Sequence, residues 1–141
     1  MVKGALTHPQ LARDIRLLGH GDQILITDGN YPISSHVSRQ AKIRHLGFTA
    51  GKPKVTTILR VLLTEISVEK TTVMTPGETE GDPEIFTEFT ELLKVKPDQL
   101  DRLSRERFYA AALKDNVRLV VTSGELRTYA NLILTVGVVT A

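Results

Sequence analysis

Apolar residues recur along the chain with two periods, and the periods alternate. Behind Pro9, Leu11, Ile15 and Leu18 fall three to four residues apart, which predicts a short helix with a proline in its first turn. Gly19 reads as the C′ glycine that ends it. Gln23 to Thr27 is a β-favouring run that stops at Asp28, with Gly29, Asn30 and Pro32 marking the loop beyond. Val55, Ile58, Leu59 and Leu62 return to helical spacing over 53–63, and Val68 to Thr75 predicts a strand closed by Pro76 and Gly77. After a polar, turn-rich stretch from Gly77 to Pro83, a helix is expected from Pro83 and Glu84 through Leu93.

The last third is denser. Residues 106–114 read as a helix with Phe108, Ala111 and Ala112 on one face. Leu119 to Val121 is an apolar run bounded by Asn116 and Gly124, hence a buried strand. Asn131 to Val139 is a second β-branched run, interrupted by Gly137. Strands that alternate with helices predict one α/β domain over residues 1–141, with a mostly parallel, Rossmann-like central sheet flanked by helices.

Composition narrows what such a domain does. The chain has no cysteine, which removes disulfides, thiolate zinc sites and cysteine nucleophiles. The net charge is only +2 and aromatics are 5%, with no cluster of Lys and Arg, so no nucleic-acid partner is expected. No apolar run reaches the roughly 18 residues that span a bilayer, and the first ten residues have no signal-peptide core, so the expectation is a cytoplasmic protein with no membrane partner. No G-x-G-x-x-G, P-loop or G-x-S-x-G is present, which leaves a nucleotide cofactor and a serine nucleophile without support. His20, Asp22, Asp28, His36 and His45 follow no metal-ligand spacing, so no metal is expected.

Open α/β sheets bind ligands beyond the carboxyl ends of their strands. Asp28 falls at one such end, and Ser123, Gly124 and Glu125 at another. Arg105 stands before the helix 106–114. His20 lies in a helix-to-strand turn between Gly19 and Gly21. Taken singly, each has an ordinary reading: a histidine interacting with helix-terminal carbonyls, a turn-forming aspartate, a packed Tyr129, a turn residue Asn131, a surface arginine.

As a set they resemble the family of D-ribose pyranases and L-fucose mutarotases. The motifs that carry the resemblance are Leu18-Gly19-His20-Gly21-Asp22-Gln23-Ile24, Thr27-Asp28-Gly29-Asn30-Tyr31-Pro32, Arg105-Glu106-Arg107-Phe108-Tyr109, Ser123-Gly124-Glu125, and Tyr129-Ala130-Asn131-Leu132-Ile133-Leu134 with Gly137-Val138. They run in order over nearly the whole chain. The resemblance implies an isomerase that interconverts forms of a free monosaccharide without a cofactor. It also implies a homo-oligomeric ring, commonly a decamer, with sites between neighbouring subunits. It makes His20 the proton-donating catalytic residue and places Asp28, Arg105 and the tripeptide Tyr129, Ala130 and Asn131 on the substrate. It adds a strand around 100–104 that periodicity did not show.

Arg105, the Phe108-Tyr109 pair and Gly21-Asp22 follow the fucose branch, whereas Ala130 follows the ribose branch; residues 76–100 match neither closely. The resemblance therefore favours an L-fucose mutarotase, with a D-ribose pyranase as the near alternative. A sugar-binding transport-accessory protein without turnover, or a structural ring, would be the readings outside catalysis. Ring opening needs a base at the anomeric hydroxyl and an acid at the ring oxygen, and no redox step. An imidazole exchanges protons near neutrality and a phenol can share the task. His20 and Tyr129 are thus expected to move protons while Asp28, Arg105 and Asn131 hold the sugar.

Overall fold

The computed structural model describes residues 1–141. In chain order the elements are α1 (Pro9–Ile15), β1 (Gln23–Thr27), β2 (Lys42–His45), α2 (Val55–Leu62), β3 (Val68–Met74), α3 (Ile85–Leu93), β4 (Asp101–Leu103), α4 (Arg105–Ala112), β5 (Val117–Thr122) and β6 (Leu132–Val136), with one 3₁₀ turn at Pro97–Gln99. The six strands form one sheet in the order β2-β5-β1-β6-β3-β4. The pairs β2–β5, β5–β1 and β3–β4 are parallel, and β6 runs antiparallel to both of its neighbours. The α/β sheet is therefore mostly parallel, as expected, but with one reversed strand near its middle. Hydrophobic periodicity carries no direction, which is why that reversal had no sequence signal.

Helices cover both faces because the central strands are apolar on both sides. Ile24 and Ile26 of β1, Leu119 and Val121 of β5, and Leu132 and Leu134 of β6 face α1, α2 and α3; Ile58, Leu59, Leu62 and Phe89 close that larger core. Leu25, Val120 and Ile133, one residue out of phase, pack on Phe108 and Ala112 of α4 and on Tyr31. Each fully buried Leu, Ile or Phe contributes about 1.5–3 kcal/mol relative to exposure.

Three local readings are corrected. Helix α1 stops at Ile15 with Arg16 at its C-cap, so Gly19 does not end it but belongs to the turn into β1. Arg105 does not precede α4; it is the first helical residue, because the Ser104 side chain caps the helix by accepting from the Arg107 amide at 3.3 Å. The final strand ends at Val136 rather than running to Val139. Strand β2 had no counterpart in the sequence reading. Its four residues, Lys-Ile-Arg-His, lie at a sheet edge without a buried side chain, so no hydrophobic run announces them. No helix is long and apolar enough to cross a membrane.

Candidate functional site

Strand β1 delivers Asp28 to the carboxyl end of the sheet, and antiparallel β6 begins beside it. That reversal brings Asn131 opposite Asp28. The Asn131 side-chain oxygen accepts from the Asp28 amide at 2.8 Å, and its nitrogen donates to the Asp28 carboxylate at 3.1 Å. The Asn30 amide donates to the same carboxylate at 2.9 Å. Both side chains are buried, at 6% and 3% exposure. Burial pushes the Asp28 carboxyl above the usual range, and the hydrogen bonds from Asn30 and Asn131 only partly offset it.

Arg105 reaches the same place from the start of α4. Its guanidinium donates to the Tyr129 hydroxyl at 3.3 Å, and that contact raises its already high pKa, keeping it charged. Tyr129 has φ = 60°, a left-handed conformation unusual for a bulky residue. Strain of order 1–3 kcal/mol at such a position persists only where the surroundings impose it, and it recurs at ligand sites. Here the backbone is turned so that the phenol meets Arg105 while Asn131, two residues on, points at Asp28.

These four side chains line one cavity of about 250 Å³, together with Asn30, Tyr31, Met74, Tyr109 and Thr128. Its size is below the roughly 300 Å³ at which pockets for drug-sized ligands begin. The lining combines a carboxylate, an amide, a guanidinium and a phenol with the apolar surface of Met74 and the aromatic rings. Such a lining suits a small polyhydroxy compound with one apolar face. The sequence reading names Tyr109 only as a branch marker and Met74 not at all, and places neither at the site. The signal for Tyr109 was available, since it lies four residues beyond Arg105 and so on the same helical face; Met74 simply ends β3. Tyr109 is packed by the His36 ring at 4.4 Å and by Tyr31 edge-on at 5.5 Å.

Ala130 is fully buried and offers its backbone to Asp28 rather than a side chain to the cavity. Ser123 and Glu125 are buried nearby but do not line it. Ser123 donates to the Thr27 carbonyl at 2.6 Å, and Glu125 holds Arg127 at 2.9 Å and the first amide of α2 at 3.3 Å. Gly124 is wedged against the 49–52 loop, where a Cβ would lie 2.4 Å from the Thr49 and Lys52 carbonyl oxygens. The motif also holds the turn after Asp28, since the Gly29 amide donates to the Glu125 carbonyl at 2.8 Å.

His20 lies elsewhere. It precedes β1, at the opposite end of the sheet from Asp28, and the five residues of the strand at ~3.3 Å each separate the two by at least about 16 Å. Within one chain His20 and Tyr129 therefore do not share a cavity, contrary to the simplest reading of their joint role. His20 is exposed, and its Nε2 lies 3.1 and 3.0 Å from the two carboxylate oxygens of Glu69.

The sequence model of the RbsD / FucU transport protein family matches residues 1–139. The chain belongs to that family. A D-ribose pyranase of Paracidovorax citrulli (strain AAC00-1) is 37% identical over 138 residues, covering 98% of each chain. The structure of Bacillus subtilis RbsD complexed with D-ribose superposes with a TM-score of 0.81 at 27% identity, covering 99% of this chain and 100% of the other. FucU from Bifidobacterium longum superposes with a TM-score of 0.80 at 30% identity, over 96% and 98% of the two chains. The fold and the family are thus the same as those of both branches, and the chain is an isomerase of the mutarotase type.

Proposed function

We propose that the chain accelerates ring opening and closure of a free monosaccharide, with L-fucose as substrate, at a cavity completed by His20 of a second copy. The observation that carries this reading is the convergence of Asp28, Arg105, Tyr129 and Asn131 on one small cavity that contains no imidazole of its own. Asp28 and Asn131 offer an acceptor and a mixed donor–acceptor pair to sugar hydroxyls, Arg105 a charged donor, and Met74 and Tyr109 a surface for the C–H face. Tyr129 is the only phenol whose hydroxyl is bonded to that guanidinium. A proton passes from the anomeric hydroxyl to one group while the other protonates the ring oxygen, the C–O bond breaks, and reclosure returns both protons. No electron changes hands, so the reaction calls for no cofactor. His20, exposed at the other end of the sheet, reaches such a cavity only from a neighbouring chain, which supports a homo-oligomer; the resemblance makes that assembly a ring, commonly a decamer.

A second sugar has its own support. D-ribose is favoured by the 37%-identical pyranase and by Ala130 in the tripeptide, whereas Arg105 at the cavity favours L-fucose. NMR saturation transfer between sugar forms tests both at once. Acceleration for L-fucose above D-ribose is expected; the reverse order reassigns the substrate, and exchange no faster than in buffer despite binding makes the chain a sugar-binding protein. Mixing His20→Ala with Asn131→Ala tests the shared cavity. Each is expected to be inactive alone, and activity should return on subunit exchange. No recovery in verified mixed oligomers overturns the shared site.

A further inference from the structure

The His20 end of the sheet carries a second feature that the sugar cavity does not use. Strand β3 and strand β6 pair in register from Val73↔Leu132 to Lys70↔Thr135, then slip, so that Val68 faces Val136 and Glu69 is the extra residue. An extra residue on one strand is a β-bulge, and bulges redirect a side chain. Glu69 and Lys70 are both exposed, whereas Thr71 to Met74 of the same strand are all buried. Immediately beyond the bulge, the Gly137 amide donates to the Ser67 carbonyl at 2.8 Å and holds the slipped register.

The turn bearing His20 is anchored to the same end of β6. The Gly21 amide donates to the Val136 carbonyl and the Val136 amide to the Asp22 carbonyl, each at 2.9 Å. Gly21 has φ = 87°, which a side chain rarely tolerates. The Asp22 carboxylate turns back to accept from the Gly19 amide at 2.8 Å. One reversed strand thus fixes both the histidine turn and the bulge, and between them Glu69 brackets a single imidazole nitrogen. The other charged groups nearby are otherwise engaged: Glu65 pairs with Arg16 at 3.3 Å, and Asp22 closes its own turn.

We propose that Glu69 is the positioning residue of His20, accepting a hydrogen bond from the Nε2–H group so that Nδ1 is the nitrogen left to exchange protons with the sugar. The inference rests on the reading of His20 as the proton-transfer group. Its basis is elementary. A carboxylate has no proton to give, so a nitrogen lying 3.0 and 3.1 Å from its two oxygens donates. A neutral imidazole carries one proton, so the other nitrogen presents a lone pair. A fixed ring with a fixed tautomer reacts from a single direction, which a composite site needs, because the ring must arrive at another chain's cavity already oriented.

The test uses the intact oligomer labelled with ¹⁵N-histidine. At about pH 8, where free imidazole is neutral, solid-state spectra report which nitrogen of His20 holds the proton, with its signals assigned by their loss in His20→Ala. The proton is expected on Nε2, shifted by its hydrogen bond, and Nδ1 is expected bare. Glu69→Ala should abolish that shift and lower kcat by about tenfold or more with KM nearly unchanged, in line with other carboxylates that orient a working imidazole. Glu69→Asp should recover part of the rate. In a His20→Ala background, Glu69→Ala should change nothing further. A proton resident on Nδ1 in the wild type, or an unchanged kcat in Glu69→Ala, overturns the proposal. An unchanged rate in His20→Ala would instead overturn the catalytic reading, while the spectra would still report the pairing.

Discussion

At the carboxyl end of β1, Asp28 and Asn131 are 6% and 3% exposed and bond to each other twice; at its amino end, the His20 and Glu69 side chains are 59% and 45% exposed and bond only at one nitrogen. The first pair is preorganised by burial: its polar atoms are satisfied before a ligand arrives, and each is costly to remove because its partner would remain in the interior. The second pair is surface chemistry, worth little to the fold in water. The same sheet therefore holds a buried, doubly bonded polar pair at one end and an exposed polar pair at the other. The contrast teaches that stability and turnover should separate by location, and substitutions at the two ends can break that division.

The largest effect is expected from His20→Ala. Loss of one general acid–base group lowers rate by ~10² to 10⁴-fold, measured as sugar exchange by NMR, while the unfolding free energy from urea denaturation stays within about 0.5 kcal/mol. A comparable loss of sugar affinity by calorimetry would place His20 among the binding groups instead. Next, Asn131→Ala should cost about 1–3 kcal/mol of stability, because the buried Asp28 loses its partner. Glu69→Ala should cost at most about 1 kcal/mol in the same assay. If the two cost the same, the distinction between the ends fails.

The pH dependence of stability sharpens the comparison further. Burial pushes Glu125 up, but hydrogen bonds and charge from Arg127 outweigh it and leave its carboxyl below the ordinary value of 4.5; Asp14, held chiefly by Arg44, is likewise lowered from 3.8. For both, the folded state releases the proton more readily than the unfolded chain. Their stabilisation is complete above those ordinary values and is lost as pH falls through the lowered ones. Asp28 has the opposite sign: its folded value is raised, so stability declines as pH rises from about 4 through that raised value. Glu125→Gln should therefore flatten the acid limb of a urea-midpoint profile, and Asp28→Asn should steepen it. The smallest effect expected is from Arg105→His, a several-fold shift of relative rate from L-fucose toward D-ribose. An unchanged ratio in the NMR screen would remove Arg105 from the specificity determinants.

Much of the fold was legible without coordinates. The bounds of β1 at Gln23–Thr27 and the helices α2, α3 and α4 follow from spacing, capping and proline placement, which are local properties of the chain. Strand β2 was not legible, because an exposed edge strand of four residues needs no apolar face. The site was half legible. Asp28, Arg105, Tyr129 and Asn131 could be named from ordered motifs and Tyr109 from its place one helical turn beyond Arg105, but Met74 only from the cavity it lines, and Glu69 only from the bulge that turns it.

The amino-acid sequence by itself determined the alternation of strands and helices, the absence of thiol chemistry, and the set of polar residues available for proton transfer. Only the tertiary structure decided which of them meet. The reversal of β6 joins residues 28 and 131 at one end of the sheet and residues 20 and 69 at the other, through contacts 103 and 49 positions apart. Local pattern reports burial and period, whereas strand direction, register and bulges depend on pairing energies summed over the whole sheet. The histidine at the helix-to-strand turn is legible as a candidate; that it stands a strand's length from the cavity it would serve is a property of the sheet alone.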